Sequence, residues 1–182
     1  MKVILSVVVP TKNRYYYLDF IIKYFLTIKS DYIELIIQDN SDPGANKKLL
    51  EDLDAFNDHR IKYYFKDGNL SQTDNCDLAI SRATGEWITM IGDDDIFSKY
   101  LVDYCERWSN LGYEAVLPNK ASYIWPDVTP RLYQKILSGT LRTQDYSGGV
   151  TVVDPANLPL KISMLGGTDI LNLPRVYHGI VK

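Results

Sequence analysis

The sequence predicts an α/β domain: a mostly parallel central sheet with helices on both faces, followed by a less regular C-terminal lobe. Three observations lead there. Short β-rich runs alternate with segments of helical apolar spacing over the first two thirds of the chain, the order a parallel sheet requires. The first run, VILSVVV at 3–9, is almost continuously apolar, as expected of a strand covered on both faces. After Pro118 the alternation stops, and residues 119–175 become rich in Pro, Gly, Ser and Thr.

Each element follows from local pattern. After the first strand, Leu18, Ile21, Ile22, Phe25 and Ile28 recur at helical spacing. IELIIQD (33–39) predicts the second strand, Asn46 to Phe56 a helix, and IKYYF (61–65) a shorter third strand. Ser71 and Asp74 form a Ser-x-x-Asp capping signature, with Cys76, Ala79, Ile80 and Ala83 on one face of the helix behind it. Gly85 is expected to end that helix, and EWITMIG (86–92) to form the next strand. Leu101, Tyr104, Cys105 and Trp108 place a helix over Tyr100 to Asn110, and EAVLPN (114–119) a fifth strand. The expected division falls after Pro118, with the α/β half at 1–118 and a second region at 119–182.

Length and composition exclude several classes. The 182 residues suit one domain, with 46% hydrophobic and 24% charged residues and a formal net charge of −3. That mild acidity, without a basic run, gives no footprint for nucleic acid. No apolar stretch approaches the roughly 20 residues needed to span a bilayer. The opening MKVILSVVVPTKNR lacks a small-residue cleavage site and reads as a buried strand rather than a leader. Cys76 and Cys105 read as reduced buried thiols of a cytoplasmic protein. With only His59 and His178 beside them, a Cys/His zinc site is not expected. A Gly-x-Ser-x-Gly elbow, a P-loop and a glycine-rich dinucleotide fingerprint are all absent. The tyrosine clusters at 15–17 and 63–65 have no surrounding Lys/Arg and read as packing.

In an open α/β sheet, ligands bind beyond the carboxyl ends of the strands. Three polar clusters fall at such ends: Pro10, Thr11, Asn13 and Arg14; Asp39, Asn40, Ser41 and Asp42; and Asp93, Asp94 and Asp95. The aspartate triplet suits a hard divalent cation, since Mg²⁺ and Mn²⁺ take one or two carboxylates plus substrate phosphates. The same three residues would also serve as a solvated turn before the next helix. Asp39 can accept from a nucleobase N–H or a ribose hydroxyl, but DNSDPG is also what a plain turn looks like. Thr11 and Asn13 can contact a base or ribose, or simply cap the first helix. Arg14 can meet a phosphate or remain solvated.

SVVVPTKNR, IELIIQDNSD and ISRATGEWITMIGDDD resemble, in order and spacing, the nucleotide-sugar half of family 2 inverting glycosyltransferases of the GT-A fold. The likeness covers residues 3–118 and rests on three separated motifs. It implies transfer of a sugar from a nucleotide-diphosphate donor, a UDP-sugar foremost, to a glycan or lipid-linked acceptor hydroxyl with inversion. It also implies a base pocket at Pro10 and Thr11, base binding by Asp39, Asn75 beneath the diphosphate, and ribose contact by Asp93. Asp94 would ligate Mn²⁺ or Mg²⁺, with Asp95 as a second ligand or orienting group. The chain departs from the family pattern at Gly92, where most members begin an Asp-x-Asp motif, at Asp74, where many carry Arg or Lys, and at Lys12.

An inverting transfer needs a general base, and the resemblance places it after a segment like LPRVYHGIVK, where this chain stops. The late Asp169 precedes that segment and is not assigned as base. The catalytic base is therefore expected beyond residue 182, in a longer protein whose remaining part could lie at the cytoplasmic face of a membrane. Two alternatives stay open: a nucleotide-sugar-binding module without catalysis, and a Mg²⁺-binding receiver-like signalling domain, although strand one ending in PTKN lacks the latter's acid pair. A nucleotidyltransferase would need a Gly-rich basic loop after strand one, which is absent.

Overall fold

The computed structural model describes residues 2–67, 70–116 and 179–182. Six strands and four helices follow in the order β1 (Leu5–Thr11), α1 (Tyr15–Leu26), β2 (Ile33–Asp39), α2 (Lys47–Phe56), β3 (Ile61–Phe65), α3 (Gln72–Ile80), β4 (Trp87–Met90), α4 (Leu101–Asn110), β5 (Ala115–Val116) and β6 (Ile180–Val181). They form one mixed sheet of order β3-β2-β1-β4-β6-β5. β1 to β4 run parallel, with Leu5 beside both Ile33 and Trp87, and β6 runs antiparallel between β4 and β5. The predicted mostly parallel α/β sheet is present. Chain order reverses direction across the sheet at β1, so the crevice beyond β1 and β4 is the switch point where ligands bind in such folds.

Strand periodicity sorts the core into two layers. Leu5, Val7 and Val9 of β1 and Leu35 and Ile37 of β2 pack under Leu18, Ile21 and Phe25 of α1, Leu49 of α2 and Val102 and Cys105 of α4. Val8 and Ile36 face the other way, against Ala79 of α3. Helices thus cover both faces, as the alternation predicted. Ser71 caps α3 as its signature predicts, its hydroxyl accepting from the Asp74 amide at 3.1 Å.

The α3 face is the less apolar one, because β2 alternates more than its sequence implied. Glu34 and Gln38 point there with Ile36 and are buried to 1% and 0% exposure. Glu34 survives burial because donors surround it. Oε1 accepts from the Ser6 hydroxyl and from the Thr84 amide and hydroxyl, and Oε2 pairs with the Lys62 ammonium. Burial by itself would raise the Glu34 pKa; Lys62, Ser6 and Thr84 outweigh it and hold the group below its usual range.

Gly85 corrects one expectation. α3 already ends at Ile80, with Ser81 as its C-cap, so Gly85 does not stop the helix. A Cβ at Gly85 would lie 2.7 Å from the Ser6 amide nitrogen and 2.9 Å from the Leu5 carbonyl carbon. Its own amide donates to the Ser6 hydroxyl at 2.8 Å. The Ala-Thr-Gly-Glu turn is therefore an anchor of the sheet's amino edge, opposite the strand ends that carry the polar clusters. Gly85→Ala is expected to cost about 1–3 kcal/mol, because backbone rather than a flexible side chain would have to move. A denaturant midpoint lowered without a change in slope would show it.

β6 was not predicted at all. Its two residues offer no period to read, yet Ile180 is 1% exposed. Lys182 donates its amide to the Glu114 carbonyl at 2.7 Å, and its ammonium pairs with Glu86 at 2.9 Å. The predicted irregular lobe, Asp169 and His178 lie outside the described residues.

Candidate functional site

The three polar strand ends do converge. Thr11 ends β1 at 4% exposure and donates its hydroxyl to Asp93 Oδ2 at 2.7 Å. Between them the chain turns sharply at Asn13, whose φ of 57° is left-handed, a conformation Asn tolerates better than most residues. Asn13 is held there from across the crevice: its amide donates to the Ser41 hydroxyl at 2.7 Å, and its side-chain oxygen accepts from the Asp42 amide at 3.0 Å. The turn delivers Arg14 to the N-cap of α1. Its guanidinium spans two carboxylates, with Nη1 3.0 Å from Asp93 Oδ1 and Nη2 2.7 Å from Asp94 Oδ2. Arg14 also lies over the Tyr17 ring, 4.6 Å from its centroid.

Beside this cluster is a small cleft lined by Thr11, Asn13, Asp39, Ser41 and Asn46. Asp39, at 1% exposure, is fixed through both oxygens. Oδ1 accepts from the Ser41 amide at 2.7 Å, and Oδ2 accepts from the Tyr63 hydroxyl at 2.7 Å. Tyr63 in turn accepts from the Asn46 amide at 2.6 Å. Burial and the neighbouring carboxylate push the Tyr63 phenol up, so it remains a donor to Asp39. Sequence reading missed this pair. By local pattern Tyr63 belongs to a packing cluster and Asn46 to a helix start; the pointer to their role is that Tyr63 shares a sheet face with Ile37, two residues before Asp39.

Asn75 reaches the same edge from beneath. Its amide donates to the Thr11 carbonyl at 3.3 Å, while its side-chain oxygen is buried without a hydrogen-bond partner. Asn40 is similar: its amide donates to the Leu70 carbonyl at 3.1 Å and its oxygen is an orphaned acceptor. Buried acceptors of this kind are uncommon and call for an N–H, an O–H or an ordered water. Pro10 lies at the end of β1 on the α3 side, partly buried.

The aspartate triplet is not three equivalent ligands. Asp93 is 4% exposed and shared between Thr11 and Arg14, whereas the Asp94 side chain is 37% exposed beside it. Asp95 turns back, accepting from the Gly92 amide at 2.9 Å while its own amide donates to the Gly92 carbonyl. Gly92 thus provides a turn at the point where the resemblance expected an aspartate. Among the described residues no group of three His, Cys, Asp or Glu side chains is gathered for a metal. The donor chemistry nevertheless suits a hard cation. Asp93 and Asp94 supply oxygen only, they are adjacent, and a guanidinium already bridges them as a cation would.

Burial pushes the Asp93 carboxyl above its usual range; the Thr11 hydroxyl and Arg14 draw it back, and Asp94 adds to the rise. A carboxyl raised on folding adds stability below its unfolded pKa, and loses it as pH rises through the folded value. At neutral pH the ionised Asp93 is therefore held against the fold. Asp93→Asn, which keeps an acceptor for Thr11, is expected to unfold at the same temperature as wild type or higher at pH 7. The difference should shrink on acidification, and melting curves from pH 7 to pH 4 measure it.

A sequence profile described as glycosyl transferase family 2 matches residues 6–166. The chain belongs to glycosyltransferase family 2. The match runs well past residue 118, where the motif likeness ended. Among curated proteins, the chain is 28% identical over 149 residues to an uncharacterized glycosyltransferase of Mycoplasma genitalium, covering 77% of this chain and 50% of that one. It is 30% identical over 119 residues to the GalNAc(5)-diNAcBac-PP-undecaprenol beta-1,3-glucosyltransferase of Campylobacter jejuni, covering 63% of this chain and 37% of the relative. The crystal structure of S. aureus TarS 1–349 superposes with a TM-score of 0.55 at 19% identity, over 69% of this chain and 39% of that one. That likeness supports the GT-A type of α/β fold expected for the family. The chain spans half or less of the length of each of these relatives.

Proposed function

We propose that this family 2 chain supplies the donor half of an inverting, divalent-metal-dependent glycosyltransferase, which moves a sugar from a nucleotide-diphosphate sugar to a glycan or lipid-linked acceptor hydroxyl. The observation that carries the reading is the juxtaposition at the switch point. A buried, doubly anchored carboxylate, Asp39, faces a small cleft, and two further carboxylates bridged by a cation stand next to it. The first arrangement can accept from a base N–H, with Thr11 and Asn13 alongside for base or ribose contacts. A uracil or thymine N3–H or a guanine N1–H could each donate to this carboxylate; it is the resemblance to family 2 members that favours a UDP-sugar. Asp93 and the orphaned Asn75 oxygen are acceptors for ribose hydroxyls and for groups beneath the diphosphate.

Asp94, with Asp93 or Asp95 beside it, would hold Mn²⁺ or Mg²⁺. Such an ion, when bound, neutralises charge on the departing diphosphate. Arg14 and the N-terminus of α1, which has no side-chain cap and no acidic residue in its first turn, add positive potential to the same place. The general base that takes the acceptor proton is assigned to sequence following residue 182, and the division of labour remains donor half at 1–118 and acceptor side from 119. The name of the C. jejuni relative, which places its transfer on a PP-undecaprenol-linked acceptor, supports a glycan or lipid-linked acceptor; work in the cytoplasm, at the cytoplasmic face of a membrane, is part of the proposal. No described helix is long and apolar enough to cross one.

The test is turnover of nucleotide sugars by the protein extended beyond residue 182 and by the 182-residue chain, with the anomeric configuration of the product read by NMR. The expected result is inversion, with turnover confined to the extended protein. Retention would overturn the inverting assignment, and full activity in the short chain would overturn the placement of the base. Donor binding without turnover in both would favour the non-catalytic nucleotide-sugar module. The receiver-like alternative falls with the family assignment.

A further inference from the structure

Two features of Arg14 are not needed to bind a donor. Its guanidinium engages one oxygen of each carboxylate, Asp93 Oδ1 and Asp94 Oδ2. The other Asp93 oxygen accepts from the Thr11 hydroxyl, so each oxygen of that carboxylate has a partner while keeping a lone pair for a further one. Arg14 is also not locked in place: its side chain is 41% exposed and leans on the Tyr17 ring rather than being enclosed. A planar, permanently charged fork that bridges two carboxylates is a stand-in for a cation.

We infer that Arg14 is an internal counter-ion that competes with the divalent cation for Asp93 and Asp94, and that it yields them only when a nucleotide diphosphate gives the guanidinium another anion to bind. The inference rests on the donor-site reading above and deepens it. Without nucleotide, two positive groups contend for the same oxygen atoms, and the guanidinium, tethered to the fold at the N-cap of α1, has the advantage of high local concentration. With nucleotide, the diphosphate lies within the same strand-end crevice and offers oxygen pairs of the geometry a guanidinium prefers. Arg14 moves from carboxylate to phosphate, and the carboxylates become available. Metal and nucleotide then bind with positive coupling, and by linkage each strengthens the other by the same factor. Arg14 is a positioning residue in this scheme, since it sets when the carboxylates are free.

The experiment measures Mn²⁺ binding by EPR of the free ion, with and without UDP, for wild type, Arg14→Met and Arg14→Lys. Methionine keeps much of the contact with Tyr17 and removes the charge; lysine keeps the charge without the fork. Far-UV circular dichroism and melting temperature establish that each variant is folded, and Asp94→Asn gives the background. The expected result is that Arg14→Met binds Mn²⁺ alone about tenfold more tightly than wild type, while the factor by which UDP improves Mn²⁺ binding falls by a similar amount. Arg14→Lys should lie between the two. Equal or weaker Mn²⁺ binding by a folded Arg14→Met would overturn the inference and leave the donor-site reading standing. Absence of Mn²⁺ binding in every protein, with or without UDP, would overturn both.

Discussion

Asp94→Ala in the extended protein is expected to lower donor turnover by about 10²–10³-fold, the usual loss when one element of a preorganised electrostatic site is removed. The reasoning starts from exposure and partners. Asp93 is buried and already shared between a hydroxyl and a guanidinium, and Asp95 is committed to the Gly92 amide. Asp94 is the member of the triplet whose carboxylate both touches the internal cation and reaches solvent. Its loss should leave the fold intact, since a partly exposed pair with Arg14 adds little to stability. The diagnostic pattern is a melting temperature close to wild type together with lost turnover and lost response to added Mn²⁺. A variant that turns over normally would remove Asp94 from the site.

Glu34→Ala is expected to have the largest effect on stability, about 3–5 kcal/mol, because it leaves the Ser6 and Thr84 hydroxyls, the Thr84 amide and Lys62 without their shared acceptor. The group lies at the amino edge of the sheet, away from the strand-end clusters, so donor binding per folded molecule should be unchanged. Its pH signature has a definite sign. A carboxyl lowered on folding adds stability above its unfolded pKa, about 4.3 for Glu, and that stability is lost as pH falls through the lower folded value. The gap between wild type and Glu34→Gln should therefore be constant near neutrality and close below about pH 4. Urea denaturation at stepped pH measures it, and a gap that widens on acidification would contradict the buried-carboxylate assignment.

These two residues mark what the sequence could and could not reveal. The parallel sheet was legible because near-continuous apolar runs such as VILSVVV, separated by helical spacing, have few other homes. The three strand-end clusters were legible because strand direction is implied by the alternation itself. Glu34 was not. Within IELIIQD, Glu34 looks like a lapse in the apolar run, and its donors come from Ser6, Lys62 and Thr84, far away in sequence. Tyr63 escaped notice for the same reason: its partner Asp39 is next to it only through β-sheet register. β6 was invisible because two residues carry no period, and its place between β4 and β5 depends on long-range pairing. Gly85 is the reverse case: local pattern makes it a helix end, whereas in the fold it allows close packing against Leu5 and Ser6.

What the fold adds to the site is an internal cation, Arg14, set between two of its carboxylates. The resemblance gives the aspartates unequal roles, Asp93 at the ribose, Asp94 on the metal and Asp95 as second ligand or orienting group; in the fold Asp93 is buried between Thr11 and Arg14, Asp94 pairs with Arg14 near solvent and Asp95 closes a turn on Gly92. The central claim is that this edge binds a nucleotide-diphosphate sugar together with a divalent cation. Thermal unfolding of the protein with UDP-, GDP- and dTDP-sugars, each with and without Mn²⁺, tests it most directly. At ligand near 100 times its dissociation constant, binding adds about 2.7 kcal/mol, a rise of roughly 5–10 °C for a domain of this size. The expected result is such a rise for a UDP-sugar with Mn²⁺ and little for either alone. No metal-dependent rise with any of the three would contradict the claim.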